Sequence, residues 1–428
     1  MKKMIRLLVP LTGTALLLSA CGSTSSPSAS TPAASHSHDH DHDHDHESSP
    51  ASSSGAGATK EVSARAPRLV MTTDHGLLVV DAQTLKVIKE IPHEVPPGGL
   101  LRLRESGDPR YPLVDSGTKL GVVDLGSWTQ AHGDHGHSKI TAPSLTTTAL
   151  TVAKAGHVSA LGPKTAVFDD GDGSVEVYEN ATFGTANPKP TRTVTLPAHH
   201  GNAIPLPGDK LLHTIAKDGS AHGVAIIDAA GKKVAESTQC PGTHGAAIAQ
   251  GGAITIGCQD GALLVKGDTI TKIPGGASFS RMGNMFGSQQ SPYVLADYKR
   301  GPEAKPSEVA IIDTRSGTLK TVKLGAEYTF RGLGVAADGQ AVALTNDGKL
   351  HLIDPATATV THSIQVMSAF TEPTEWTQPR PTVHAQGHWV YVTEPATKKV
   401  HAIELSVRKV MATGTLPDAP NEVTGTLG

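Results

Sequence analysis

The sequence predicts an all-β protein: a β-propeller of about eight four-stranded blades, preceded by a disordered His/Asp-rich segment. Two observations carry the propeller. Short apolar strands recur after residue 60 at a spacing of roughly 45 residues, which suits one blade. Gly, Asp and Asn turns punctuate them, and no long helical period intervenes. A third observation carries the leader. Before residue 60 the composition changes to Ser, Ala, Pro, His and Asp, which cannot bury enough apolar surface to fold.

Residues 1–20 read as a secretion signal. Lys2, Lys3 and Arg6 precede an apolar stretch, residues 7–18, too short to span a bilayer as a mature helix. Leu18-Ser19-Ala20-Cys21 then resembles a bacterial lipoprotein box, which implies cleavage before Cys21 and a lipid on its thiol. The mature chain is therefore expected outside the cytoplasmic membrane, in the periplasm or at the cell surface, held to the membrane by that lipid alone.

Residues 21–66 form the expected tether, with a random-coil reach of ~30–40 Å. Within it, residues 36–46 alternate His36, His38, His40, His42, His44 and His46 with Ser37, Asp39, Asp41, Asp43 and Asp45. In an extended chain residues i and i+2 point the same way, so imidazoles line one edge and carboxylates the other. Neutral imidazole suits zinc, copper and nickel, and a histidine-rich tract is a compositional metal signal.

Residues 67–428 are assigned to the propeller. One line returns through them, as in Leu77-Leu-Val-Val-Asp81, Val224-Ala-Ile-Ile-Asp228, Val309-Ala-Ile-Ile-Asp313 and Lys349-Leu-His-Leu-Ile-Asp354. Eight such units give eight blades; seven is the alternative, because the second unit is irregular. The first unit lacks an innermost strand, and the tail over residues 421–427 is expected to supply it and hide both edges. Net charge is −3 with only 18% charged residues, which argues against a nucleic-acid partner, and a monomer is expected. Cys240 and Cys258, an even pair in an exported domain, suggest a disulfide, and their spacing argues against a thiolate zinc site.

The residue entering the innermost strand of a blade sits at the channel mouth. Three consecutive units place histidine there: Gly156-His157, His199-His200-Gly201 and Thr243-His244-Gly245. Convergence of His157, His200 and His244, with a water or carboxylate, makes an ordinary tetrahedral zinc shell. His384 lies slightly deeper in the last unit and is a further candidate; His199 is a candidate ligand or partner to a ligand. His75 and His222 lie in turns on the same face. A second cluster, His132-Gly-Asp134-His135-Gly-His137, is inserted between the outer strands of the second unit, which puts it on the opposite face. Arg281, Arg331 and Arg380 hold the channel-mouth place in other units.

An exported His/Asp-rich leader, Pro197-Ala-His-His-Gly-Asn-Ala-Ile-Pro-Leu206 and Cys240-Pro-Gly-Thr-His-Gly245 on a propeller together resemble the AztD-type zinc metallochaperones. The resemblance covers most of residues 60–428. It implies a periplasmic propeller that delivers Zn²⁺ to the solute-binding protein of an ABC importer, with His200 and His244 as ligands and the tract collecting or relaying metal. A lipid anchor departs from that pattern. Two rival readings remain: a module gripping an anionic ligand or protein partner through Arg281, Arg331 and Arg380, and a metal-dependent hydrolase or lactonase. No nucleophile motif supports the latter, so no enzymatic activity is expected.

Overall fold

The computed structural model describes residues 58–428. Cys21 and the histidines of residues 36–46 lie outside the described residues. Among those described are eight four-stranded antiparallel sheets and one three-stranded sheet. Among the described residues no helix is long and apolar enough to cross a membrane.

The recurring apolar line is the third strand of most sheets, as in Gly76–Asp81, Ser220–Ile227, Glu308–Asp313 and Lys349–Asp354. It reads as an unbroken apolar run because both of its faces are covered by neighbouring sheets. Val309, Ala310 and Ile312, for example, are wholly buried. Each large aliphatic side chain so buried contributes about 1.5–3 kcal/mol. The aspartate that ends the run caps the turn to the outer strand. Asp81 Oδ1 accepts the Gln83 and Thr84 amides, Asp313 Oδ1 the Arg315 amide, and Asp354 Oδ1 the Ala356 amide. Outer strands such as Arg192–Thr195 and Thr318–Lys323 alternate between exposed and half-buried positions along most of their length, as one solvated face requires.

The first strand of each sheet is innermost. These strands run from Arg102–Arg104 through Ala155–Leu161, Ala203–Leu206, Ala246–Ile248, Met285–Gly287, Tyr328–Val335 and Val383–Gln386. Residues of all of these strands except Ala203–Leu206, together with His200, Val423 and Thr424, line a central cavity of about 840 Å³.

The C-terminal tail closes the ring as the sequence suggests. Val423–Thr426 pairs antiparallel with Arg68–Thr73, in the register Arg68↔Thr426 to Met71↔Val423, and becomes the innermost strand of the first sheet. The residues before it stitch that sheet to its neighbours. Glu422 accepts hydrogen bonds from the Leu103 amide at 2.7 Å and from Arg102 Nε at 3.3 Å, and lies 3.1 Å from Arg331 Nη2. Asn421 Oδ1 accepts from Arg331 Nη1, and its Nδ2 donates to the Thr377 carbonyl.

The second unit is irregular for a visible reason. Its outer strand, Ser144–Thr151, is reached only after the hairpin Ser127–His132 and His135–Ile140. That hairpin takes Lys60–Val62 as a third strand, paired Lys60↔Ile140 to Val62↔Ser138. The tether expected to run to residue 66 therefore gives way to ordered strand by Lys60, because the hairpin offers an unpaired edge.

Replacing Glu422 with Ala strands the buried Arg331 guanidinium. The expected cost is about 3 kcal/mol, the scale for breaking a buried ion pair, read from denaturant unfolding of the metal-free protein.

Candidate metal centre

Three neighbouring innermost strands bring His157, His200 and His244 together. His157 lies within Ala155–Leu161, while His200 and His244 sit just ahead of Ala203–Leu206 and Ala246–Ile248. The glycines beside them are steric requirements. A Cβ on Gly156 would lie 2.2 Å from Asp170 Oδ1, and one on Gly245 would lie 2.5 Å from the Gly283 carbonyl oxygen. The His244 loop is fixed further by backbone bonds from His244 to Gly257 O and from Gly257 to Gly245 O. Cys240 and Cys258 are disulfide-bonded across 18 residues, clamping the start of this loop to the strand Ile254–Cys258. A loop of that length is worth about 3 kcal/mol in the chain-entropy account.

One ligand atom from each histidine falls within 4.8 Å of the others. The ring centroids are 4.9 Å apart for His157 and His200, 5.3 Å for His157 and His244, and 5.2 Å for His200 and His244. Hydrogen bonds select the free nitrogen. His200 Nδ1 donates to Asp170 Oδ2 at 2.6 Å, and His244 Nδ1 donates to the Gly283 carbonyl at 2.6 Å. Because a carboxylate and a carbonyl can only accept, Nε2 of each ring keeps its lone pair. His157 Nε2 is buried and has no hydrogen-bond partner. An unpartnered imidazole nitrogen on a ring close to two others is what a ligand set without its ion should look like.

Protonation is discouraged as well. Burial pushes His157 well below the ordinary histidine range, helped by His244, His200, Arg104 and Arg102. Burial likewise lowers His244, with smaller contributions from His200, Arg281 and Arg102. Neutral imidazoles are the form that ligates. Asp170, its side chain only 4% exposed, also accepts the Gly201 amide at 3.1 Å and so holds both the His200 ring and its backbone. A carboxylate behind a ligating imidazole fixes tautomer and raises ligand basicity. The donor set therefore fits a tetrahedral zinc with one position open.

The hairpin brings His132, His135 and His137 into a second group whose ligand atoms also lie within 4.8 Å. Its ring centroids are 5.0 to 5.4 Å apart. This group is exposed, and Glu61 from the added strand reaches His137 Nδ1 at 2.8 Å. His135 Nδ1 is 3.1 Å from Asp134 Oδ1.

Other candidates are placed differently. His199 is a correction: its Nδ1 donates to the Pro197 carbonyl at 2.7 Å, and its Nε2 is engaged by Thr214 Oγ1 at 2.8 Å. With both nitrogens used and the ring against Phe168, it packs the loop and leaves no lone pair for a metal. His384 lines the central cavity and contacts Gln386, outside the three-histidine group. His75 pairs with Asp418. Arg380 is held by Glu372 and the Glu375 carbonyl, and of the three arginines proposed to grip an anion only Arg331 lines the cavity. Sequence reasoning missed Asp170, Gly283 and Glu61. The Asp169-Asp170-Gly171 turn carried a usable signal for the first; a backbone carbonyl carries none.

No protein-family model matches the chain. A curated relative, the zinc chaperone AztD of Citrobacter koseri, is 24% identical over 310 residues, spanning 70% of this chain and 72% of that protein. The crystal structure of Citrobacter koseri AztD superposes with a TM-score of 0.74 at 23% identity, covering 85% of this chain and 98% of that one. Its apo form gives 0.73 at 22% identity, with the same coverage. The dihydro-heme d1 dehydrogenase NirN, at 12% identity, gives 0.54 over 86% of this chain and 77% of that chain. The likeness to AztD extends across most of the propeller, and the structural matches establish that fold.

Asp170→Asn keeps the shape but weakens the acceptor behind His200. Zinc affinity is expected to fall about 10–100-fold, measured by competition with a chromophoric chelator.

Proposed function

We propose that this chain is an extracytoplasmic zinc metallochaperone, which captures Zn²⁺ and passes it to the solute-binding protein of an ABC importer. The observation that carries the reading is the three-histidine centre: three imidazoles from three adjacent sheets with their ligand atoms within 4.8 Å, two of them, His157 and His244, held by burial below the ordinary histidine range. The zinc chaperone named among its relatives supports the choice of cargo. The role is carriage rather than catalysis.

Each part has a physical task. Residues 36–46 collect zinc loosely, because many interchangeable imidazole and carboxylate donors follow one another along the sequence. The channel centre binds tightly, because the fold has positioned its ligands beforehand. The hairpin group His132, His135 and His137, with Glu61, is a second and more exposed zinc site. Release follows stepwise exchange. His200 has the most exposed side chain of the centre, at 52%, so an incoming ligand displaces it first while the part-buried His157 and His244 hold the ion longer. Export through the signal at residues 1–20 and a lipid on Cys21 keep the carrier at the membrane, where an importer's binding protein works.

The double variant His200→Ala/His244→Ala is expected to lose at least ~100-fold in tight zinc affinity, beyond the loss from a supporting residue. Deletion of residues 36–46 should lower stoichiometry and leave the tight phase intact. Unchanged tight binding in the double variant would discard the centre. Mixing zinc-loaded protein with a metal-free zinc-binding protein of an ABC importer tests transfer, and zinc that stays put would discard delivery.

Acidification separates the sites. Tract histidines protonate near the reference value of about 6.5, whereas burial holds His157 and His244 below it, so the tract releases zinc first as pH falls and the centre later. Below that value the unfolded chain binds more protons than the folded one, so the metal-free propeller also loses stability on acidification. Zinc titrations and thermal melts between about pH 7.5 and 5 check both signs.

A further inference from the structure

The three-histidine centre offers zinc no negatively charged ligand. Its nearest acid, Asp170, stands behind His200, on the far side of the ring from the ligating nitrogen. An ion held there keeps its full double charge, and such a charge recruits an anion.

The neighbouring sheet supplies two cations to meet that anion. Arg102 and Arg104 stand two residues apart on the innermost strand next to that of His157, so both side chains point the same way. Both line the cavity that His157, His200 and His244 line. Each is only partly engaged. Arg102 uses Nε toward Glu422 at 3.3 Å, and among the described residues no hydrogen bond is made by its two Nη nitrogens. Arg104 gives Nη2 to Asp115 at 3.0 Å, while its Nε is buried without a partner. Arg102 and Arg104 also help depress protonation of His157, and Arg102 that of His244, which puts their positive field across the centre.

We propose that the fourth zinc position is taken by a carboxylate, one oxygen on the ion and the other gripped by Arg102 and Arg104. Zinc accepts carboxylate oxygen readily, and a guanidinium fork matches a planar carboxylate better than it matches a point charge. The inference rests on the zinc reading of the centre and assigns what completes it. The carboxylate comes from a small organic acid or from an acidic side chain of the zinc-receiving protein; in the second case it is the first incoming ligand of the exchange.

The test uses full-length protein loaded with one equivalent of cobalt(II), whose visible spectrum reports its fourth ligand. The centre's spectrum is identified by its loss in His200→Ala/His244→Ala; if no such spectrum exists, the zinc reading itself fails. Acetate, succinate and a short Asp/Glu peptide are then titrated in, with chloride as control. A saturable spectral change is expected. Its midpoint should rise at least ~10-fold in the cobalt-loaded Arg102→Gln and Arg104→Gln variants, the loss of about one charge-assisted hydrogen bond. Arg102→Lys, which keeps the charge near Glu422 but loses the fork, separates loss of grip from a folding defect and should fall between. A tighter midpoint for the peptide assigns the ligand to a protein partner, and a tighter one for succinate assigns it to a free acid. A spectrum indifferent to carboxylate, or equally responsive in all variants, overturns the proposal.

Discussion

Everything at the channel depends on a closed ring, and one carboxylate sits at the seam. Glu422 joins the tail to Arg102 and the Leu103 amide on one side and to Arg331 on the other, just before the tail becomes the innermost strand of the first sheet. Closure removes the two edges that an open array of sheets would expose. It also fixes the angle between successive innermost strands. Imidazoles from three of them meet only because that angle is set by the whole circle, not by contacts local to any one sheet. The tail therefore acts on the metal centre from a distance, through geometry rather than touch.

The centre combines rigidity with a weak point. Gly156 and Gly245 let the backbone approach Asp170 and Gly283 closely, while the Cys240–Cys258 bridge and the Gly257 hydrogen bonds hold the third histidine. Such a preorganised ligand set spends little ordering entropy on binding an ion. Under the proposed carrier role the ion must also be released, and exposure within the centre is uneven: His157 and His244 are part-buried, and His200 is half open. That asymmetry would let exchange begin at His200.

Much of this was legible in the sequence. The repeat, the closing tail, the disulfide pair and the three channel-mouth histidines all follow from strand period, spacing and position within a unit, which are local or periodic properties. The hairpin insertion was legible too, as an interruption of the repeat. The failures are equally specific. His199 and His200 are identical neighbours, yet one packs against Phe168 with both nitrogens occupied and the other faces the channel. No pattern in the string separates them, because the choice is made by which side of the loop the folded chain turns inward. The same holds for the arginines: Arg281 and Arg380 share a repeat position with Arg331, but the cavity is lined instead by Arg102 and Arg104 from the irregular second unit.

Alone, then, the order of amino acids determined the architecture and the chemical type of the centre, since alternation, turn residues and recurring histidines act over a few residues at a time. Tertiary structure alone decided which nitrogen of His200 and of His244 is free, which acid stands behind His200 and which cations share the cavity. Those are relations between residues such as Asp170 and His200, or Glu61 and His137, that are distant along the chain. Hydrogen-bond direction and burial come into being only when the ring closes around them.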